Sequence, residues 1–346
     1  MKKIAFVITK SELGGAQTWV LELYRLLSSK YDIYLITSES GWLTDKFPPE
    51  KVFLINGIKS LKKPTTIYKL AFLLRKLNIQ LSISSSANAG IYTRLSKCFY
   101  VHKTIYVSHG WSCIYNTGKL RYISCLIERF LSLITNKILC ISNSDMEKAI
   151  EIIKISEKKL RLISNKITPK PIKKSNDIKD ILKIVFVGRL SYPKAPDLLV
   201  DSVKDIHSIT LDIIGNGEYI NELKNKYSKY KNINFLGAVD DFSSYNNYDL
   251  FILSSFSEGL PMSGIEAGSA GIPLMLSNVG GCYELIDVEK PNGILFDNNK
   301  ESIQHSLNEI MNNYNFYAEN AKKCIKNFDI HYSEYEYIDL IEKQIN

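Results

Sequence analysis

The sequence has no apolar run long enough to cross a bilayer. Stretches such as Ile4 to Ile8 and Ile184 to Val187 are of strand length, far short of the roughly 20 residues a spanning helix needs. Lys2 and Lys3 are followed by only about five apolar residues, too few for a secretory leader, so a cytoplasmic location is expected. Cysteine is sparse. Cys98, Cys113, Cys125, Cys140, Cys282 and Cys324 form no C-x-x-C pair and have no histidine at metal-ligand spacing, which points to reduced, mostly buried thiols and to no metal site. The G-x-G-x-x-G fingerprint is missing, which argues against a dehydrogenase. Helix-turn-helix, RNA-binding and OB-fold signatures are missing too, so the net charge of +8 does not indicate a nucleic-acid partner.

Acidic residues are scarce in one half only. Residues 1–165 hold 25 Lys and Arg against 11 Asp and Glu, and residues 166–346 hold 19 against 25. A basic first half suits attraction to an anionic membrane surface or to a phosphate-bearing acceptor. Basic and apolar residues interleave in Lys62-Lys63 through Arg75-Lys76, in Arg94 to Lys103, and in Lys119 to Lys137. In the last stretch Ile123, Leu126, Ile127, Phe130, Leu131 and Ile134 recur at helical spacing. Such stretches suit helices lying at a membrane interface, and equally amphipathic helices packed on their own domain with a solvated basic face.

At 346 residues the chain is long enough for two domains. In the first half, strands over Lys3–Thr9, Ile33–Thr37, Leu81–Ser84, Lys103–Val107 and Ile138–Ile141 alternate with helices over Ala16–Ser29, Ile67–Leu77, Leu120–Leu133 and Ser144–Lys154. Ser142 or Asn143 caps the last of these. The polar, Pro-containing segment 166–183 reads as a linker. The alternation then restarts: strands over Ile184–Val187, Thr210–Ile214, Ile233–Leu236, Leu250–Leu253, Pro273–Leu276 and Gly293–Phe296, with helices between them. This pattern predicts two parallel, doubly wound sheets: one domain over 1–165, a second over 184–328, and a helix over 329–346 that returns to the first domain.

The residues with chemical capacity fall at predicted strand ends, where ligands bind in open α/β sheets. Gly14-Gly15 lies between a strand and a helix, where amides and the helix dipole can hold a phosphate oxygen; a tight turn is the plainer reading. His109 ends a strand with Gly110 behind it and can offer a neutral N–H to a hydroxyl, although a lone histidine is commonly structural. Arg189 and Lys194 follow Gly188 and could neutralise a diphosphate, or be solvated loop cations. Gly215-Asn216-Gly217 allows close backbone approach to a nucleoside, or forms a simple β-turn. Glu258 lies in the loop after a buried strand and Glu266 on the helix that follows, so both can accept hydrogen bonds from sugar or ribose hydroxyls. Gly280-Gly281 with Glu284 forms another glycine-rich strand end, with Glu284 read as structural.

Taken in this order, with Asn292-Gly293, these motifs resemble those of the retaining glycosyltransferases of family 4, which have the GT-B fold: two Rossmann-like domains facing across a deep cleft. The resemblance spans nearly the whole chain and is strongest from Ile184 to Phe296. It implies an α/β enzyme of bacterial surface-polysaccharide synthesis. Such an enzyme moves a hexose or N-acetylhexosamine from a nucleoside-diphosphate sugar, UDP-sugar favoured, to a hydroxyl of a glycan or polyprenyl-diphosphate-linked saccharide. It implies that Arg189 and Lys194 hold the diphosphate, Glu266 the ribose, Glu258 and His109 the donor sugar, and Gly14-Gly15 a phosphate. Backbone groups at Gly259, Leu260, Pro261, Met262 and Ser263, with Gly188, Gly215 and Gly217, would line the donor site. No metal cofactor is implied, since two cations supply the positive charge, and no Asp-x-Asp triplet occurs. Three positions depart from the family pattern: Lys194-Ala195, Asn165-Lys166, and His109 followed by Gly110-Trp111 rather than an acidic residue. An inverting transferase or a nucleotide-sugar epimerase of similar shape is the alternative enzyme, and a nucleotide-sugar-binding scaffold the non-enzyme alternative.

Overall fold

The computed structural model describes residues 1–115, 118–176 and 180–345. The chain divides into two compact units, one of Met1–Ser164 with His331–Asn346, the other of Asn165–Ile330.

In the first unit seven parallel strands, β1 (Lys3–Val7), β2 (Asp32–Thr37), β3 (Val52–Leu54), β4 (Leu81–Ser84), β5 (Lys103–Ser108), β6 (Lys137–Cys140) and β7 (Leu160–Leu162), lie in the order 3-2-1-4-5-6-7. The central strands β1 and β4 are buried almost throughout, as expected of a parallel sheet covered on both faces. The crossovers carry α1 (Gly15–Leu27), α2 (Thr65–Lys76), α3 (Ala87–Ser96), α4 (Ser112–Tyr115), α5 (Gly118–Ile134) and α6 (Asn143–Lys148). Helix α1 turns Trp19, Val20, Leu23 and Leu27 inward at helical spacing. The Ser142 hydroxyl caps α6 by accepting from the Asp145 amide. The helix expected to run to Lys154 instead leaves α geometry after Lys148, widens into a π-turn over Ala149–Ile153, and stops at Lys154 with φ 63°.

Four strands and α-helices were not anticipated from the sequence: β3, β7, α3 and the single-turn α4. The two strands are three residues long, too short to show a period. Helix α3 reads Ala-Asn-Ala-Gly-Ile-Tyr-Thr-Arg-Leu-Ser, with little amphipathic contrast, because it is buried on nearly every side. At Gly90 a Cβ would stand 2.5 Å from the Tyr106 ring, so the small residue lets α3 press onto β5.

The second unit repeats the plan with β8 (Leu182–Val187), β9 (Ile209–Ile214), β10 (Ile233–Gly237), β11 (Leu250–Leu253), β12 (Leu274–Ser277) and β13 (Gly293–Phe296), all parallel, in the order 10-9-8-11-12-13. Helices α7 (Pro196–Val203), α8 (Ile220–Tyr227), α9 (Met262–Ser269), α10 (Lys300–Asn312) and α11 (Tyr314–Cys324) cover it. In both units the order reverses next to the first strand, between β1 and β4 and between β8 and β11, which is where doubly wound sheets open a crevice at the strand ends.

The stretch read as a linker is packed rather than free. Ile167 is fully buried in the core of the second unit and bridges to Asp329, and Lys173 pairs with Asp249 at 2.8 Å; positions 177–179 lie outside the described residues. The last helix, α12 (Glu334–Ile345), packs on the first unit, its final neighbour Asn346 being outside the described residues. Trp19 donates to the Tyr337 hydroxyl at 3.3 Å, and Glu342 takes both Lys2 (2.5 Å) and the Tyr31 hydroxyl (2.7 Å). Five cysteines are buried and Cys98 is exposed. Burial pushes the Cys140 and Cys282 thiols up to about 12, so they stay protonated. Among the described residues no helix is long and apolar enough to cross a membrane.

Candidate active site

In the second unit the predicted residues gather at the carboxyl ends of β8, β9 and β11. The chain leaves β8 through Gly188 and Arg189, then doubles back so that Lys194 forms an antiparallel bridge with Ser255. The Ala195 amide donates to the Ser254 carbonyl (3.0 Å) and the Phe256 amide to the Pro193 carbonyl (2.9 Å). This stitching places the Lys194 ammonium against the Glu258 carboxylate in an ion pair, with both side chains mostly buried. Arg189 is exposed and makes no ion pair among the described residues, so its five donors face solvent at the same strand end.

Two glycines are demanded by geometry. Gly215 has φ +146°, and a Cβ there would lie 1.9 Å from the Gly188 carbonyl; Gly280 has φ +55°, and its Cβ would lie 1.9 Å from the Glu258 carbonyl. Each lets one strand-end loop lie directly on the next, and the second presses on the backbone of the glutamate itself. Gly217 lies against the Leu190 carbonyl, whereas Gly188 has room beside it, its Cβ position being 3.6 Å from the Lys194 stem.

The stretch 259–263 has mixed capacity. Leu260 is a core residue of the second unit, and Pro261 has no backbone N–H to donate. Pro261 is the N-cap of α9 without a side-chain cap, which leaves the first amides of the helix, at Met262 and Ser263, for an outside acceptor. Glu266 is one turn further on. The Tyr245 hydroxyl donates to Glu266 Oε2 at 2.6 Å, and burial holds that phenol far above its usual range, so it remains a donor. The sequence offered no sign of Tyr245, which sits in a 3-10 turn before β11. Replacing it by Phe removes this donor from the carboxylate. For Tyr245→Phe, donor KM is expected to rise about fivefold with kcat moved less, the size of one lost hydrogen bond. Initial-rate kinetics check this, with a 2′-deoxy donor as control, since its KM should change little.

On the first unit, Gly14 is the N-cap of α1 and Gly15 its first residue; the helix has no side-chain cap and no acid in its first turn. Gly14 has φ −176°, which any residue adopts, and a Cβ there would stand 2.9 Å from Gln17 Oε1, so the small residue leaves room for that side chain over the helix N-terminus. His109 follows β5. The Ser85 hydroxyl lies 2.6 Å from Nε2, which leaves Nδ1 for another group, and the Trp19 ring meets the imidazole edge-on at 5.3 Å. Asp145 on α6 holds the residues after His109: the Gly110 amide donates to its Oδ2 (3.1 Å) and the Trp111 indole to its carbonyl (2.8 Å).

Burial pushes the His109 imidazole down to about 4, so it is neutral at physiological pH. Between 6.5, its ordinary value, and about 4, the unfolded chain binds a proton that the folded chain refuses. Stability is therefore complete above pH 6.5 and lost as pH falls toward 4. Denaturant unfolding should show about 2 kcal/mol less contribution from this group at pH 5 than at pH 7.5, and a shallower dependence in His109→Asn.

Two doubly wound units, with cations and carboxylates collected at the strand ends of one and a helix N-terminus beside a neutral histidine on the other, make up a GT-B glycosyltransferase. The family model "Glycosyltransferase Family 4" matches residues 13–170, and "Glycosyl transferases group 1" matches residues 169–328. The chain is 47% identical over 330 residues to the O-antigen biosynthesis glycosyltransferase WbnH of Escherichia coli, covering 95% of this chain and 96% of that one. It is 28% identical over 366 residues to an E. coli UDP-Gal:alpha-D-GlcNAc-diphosphoundecaprenol alpha-1,3-galactosyltransferase, covering 95% and 93%. Among solved structures, Anabaena Alr3699/HepE in complex with UDP-glucose aligns with a TM-score of 0.85 at 15% identity, over 99% of this chain and 100% of that one. The chain belongs to glycosyltransferase family 4 and has the GT-B fold.

Proposed function

We propose that the enzyme transfers a hexose or N-acetylhexosamine from a UDP-sugar to a hydroxyl of a glycan or polyprenyl-diphosphate-linked saccharide, with retention at the anomeric carbon, in O-antigen or related surface-polysaccharide synthesis in the cytoplasm. The observation that carries this reading is the cluster of Arg189, Lys194, Glu258 and Glu266 at the carboxyl ends of β8 and β11. The names of the O-antigen relatives support the pathway, and the UDP-Gal relative supports the base.

The chemistry follows from the charges. As the bond from the anomeric carbon to the β-phosphate oxygen breaks, its electron pair stays on the diphosphate, and Arg189 and Lys194 neutralise it. One lysine ammonium has three donors, so Lys194 can hold Glu258 and a phosphate oxygen together. Glu258 then orients the sugar hydroxyls and Glu266 takes the ribose hydroxyls, while the neutral His109 keeps Nδ1 available for a hydroxyl. The acceptor oxygen attacks from the face the leaving group departs, and its proton passes to a donor phosphate oxygen, so no protein nucleophile is required. We expect turnover to persist in EDTA, since two cations do the work of a metal.

A thermal-shift series with UDP-, GDP- and ADP-sugars identifies the base: a ligand at 100 times its Kd adds about 2.7 kcal/mol of stability. Proton NMR of the product reads the anomeric outcome. An inverted linkage refutes retention, and a response to GDP- or ADP-sugars alone refutes the UDP assignment.

A further inference from the structure

Helix α5 is built inside out. Its inward face carries Cys125, Glu128, Leu131 and Ser132, while Ile123, Ile127, Phe130, Leu133 and Ile134 point to solvent, Phe130 at 61% and Leu133 at 67% exposure. A helix on a protein surface ordinarily turns such a stripe to the core. Of the six apolar residues whose spacing marks this segment in the sequence, Leu131 alone is buried. Helix α2 shows the same feature with Tyr68 and Phe72, the latter 71% exposed. The two helices flank the recessed α3, which packs against both. Tyr68 packs at a tilt against Phe99 beyond the end of α3 (4.1 Å), and Lys97 donates to the Ile134 carbonyl (2.6 Å), so the segment after α3 is tied to both helices.

The exposed charge on these three helices is of one sign. Between Lys51 and Ser144 the chain has 14 Lys and Arg and a single acid, Glu128. That acid is withdrawn from the surface: Arg94, itself 0% exposed, clamps it with two hydrogen bonds of 2.8 and 3.1 Å. Lys69, Arg75 and Lys76 on α2, with Lys119, Arg121 and Arg129 on α5, are exposed and make no ion pair among the described residues. An exposed apolar patch of this extent marks an interaction surface, and its charge selects the occupant. A second copy of the chain would set these cations against the same cations, which disfavours a twofold dimer here. A bilayer bearing anionic headgroups meets both demands, with apolar side chains at the acyl boundary and Lys and Arg at the phosphates.

We infer that the α2–α3–α5 face seats this protein on the surface of an anionic phospholipid bilayer, with α5 lying in the headgroup plane. The seat would bring a lipid-linked acceptor within reach, so it deepens the proposed function, but it stands on vesicle binding alone and needs no turnover.

The test is flotation of the full chain with vesicles of phosphatidylcholine, alone or with about 30 mol% phosphatidylglycerol. The wild type should bind the anionic vesicles and not the neutral ones, and added salt should weaken binding. Ile127→Ser/Phe130→Ser and Arg121→Glu/Arg129→Glu should each lose at least about tenfold in binding while keeping the wild-type circular-dichroism spectrum and a cooperative thermal melt, which shows that they fold. Equal binding to both vesicle types, or wild-type binding by both variants, overturns the inference. So does a dimer in light scattering that the serine variant dissociates, which would assign the face to a second copy. Vesicle binding without any transfer or donor hydrolysis would instead count against the proposed function and leave the seat in place.

Discussion

Lys194→Ala is expected to lower kcat/KM by about 10²- to 10³-fold, equivalent to about 2.7 to 4 kcal/mol of lost transition-state stabilisation. The reason lies in two places at once. The ammonium meets the charge that grows on the departing diphosphate, and it also holds Glu258, whose side chain is only 10% exposed. Removing it therefore leaves a buried carboxylate without its partner, and the melting temperature should fall as well. The two effects separate in Lys194→Ala/Glu258→Gln, where the neutral amide no longer needs an ion pair: stability should return and activity should not. Lys194→Arg should retain part of the activity, as a cation with a different reach. Initial-rate transfer assays and thermal melts of the four proteins decide the matter. A Lys194→Ala enzyme within about threefold of wild type would falsify the diphosphate role.

Glu128→Ala should strongly destabilise the first unit. It strands Arg94, which is fully buried, donates through Nε to the Gly90 carbonyl at 2.9 Å and lies over the Tyr106 ring at 4.3 Å. A buried guanidinium left without its carboxylate costs about 3 to 5 kcal/mol, so Tm should drop by about 10 °C. Arg94→Met/Glu128→Leu removes both charges and replaces them with apolar volume, and most of the loss should be recovered. If Glu128→Ala melts with the wild type, the pair is not holding α3 to α5. The same pair keeps the one acid of this region off the cationic surface, so the double variant should still bind anionic vesicles.

The strands of both units could be read from the sequence because a parallel strand covered on both faces must be a nearly continuous apolar run; Leu81–Ser84 and Gly293–Phe296 are found where they were expected. The position of the glutamates relative to their strand was legible for the same reason, with Glu258 in the loop after β11 and Glu266 within α9. Helix α3 was not legible, because its packing against Tyr106 selects small residues and erases the amphipathic signal. The direction in which α5 presents its apolar stripe was also hidden. Periodicity shows that a stripe exists, but the same spacing serves a core or a membrane.

By itself the sequence determined the alternation of strand and helix, the two doubly wound units, and the placing of Gly14-Gly15, His109, Arg189, Lys194, Glu258 and Glu266 near strand ends, since each follows from local period and turn chemistry. The tertiary structure alone decided which of these groups touch, and through whom. Lys194 meets Glu258 across 64 residues, Ser85 meets His109 across 24, and Tyr245 meets Glu266 across 21. The first two pairings come from crossovers that bring strand ends distant in the chain to one edge of a sheet, the third from a turn before β11 meeting the helix after it, and no local pattern encodes contacts of these kinds.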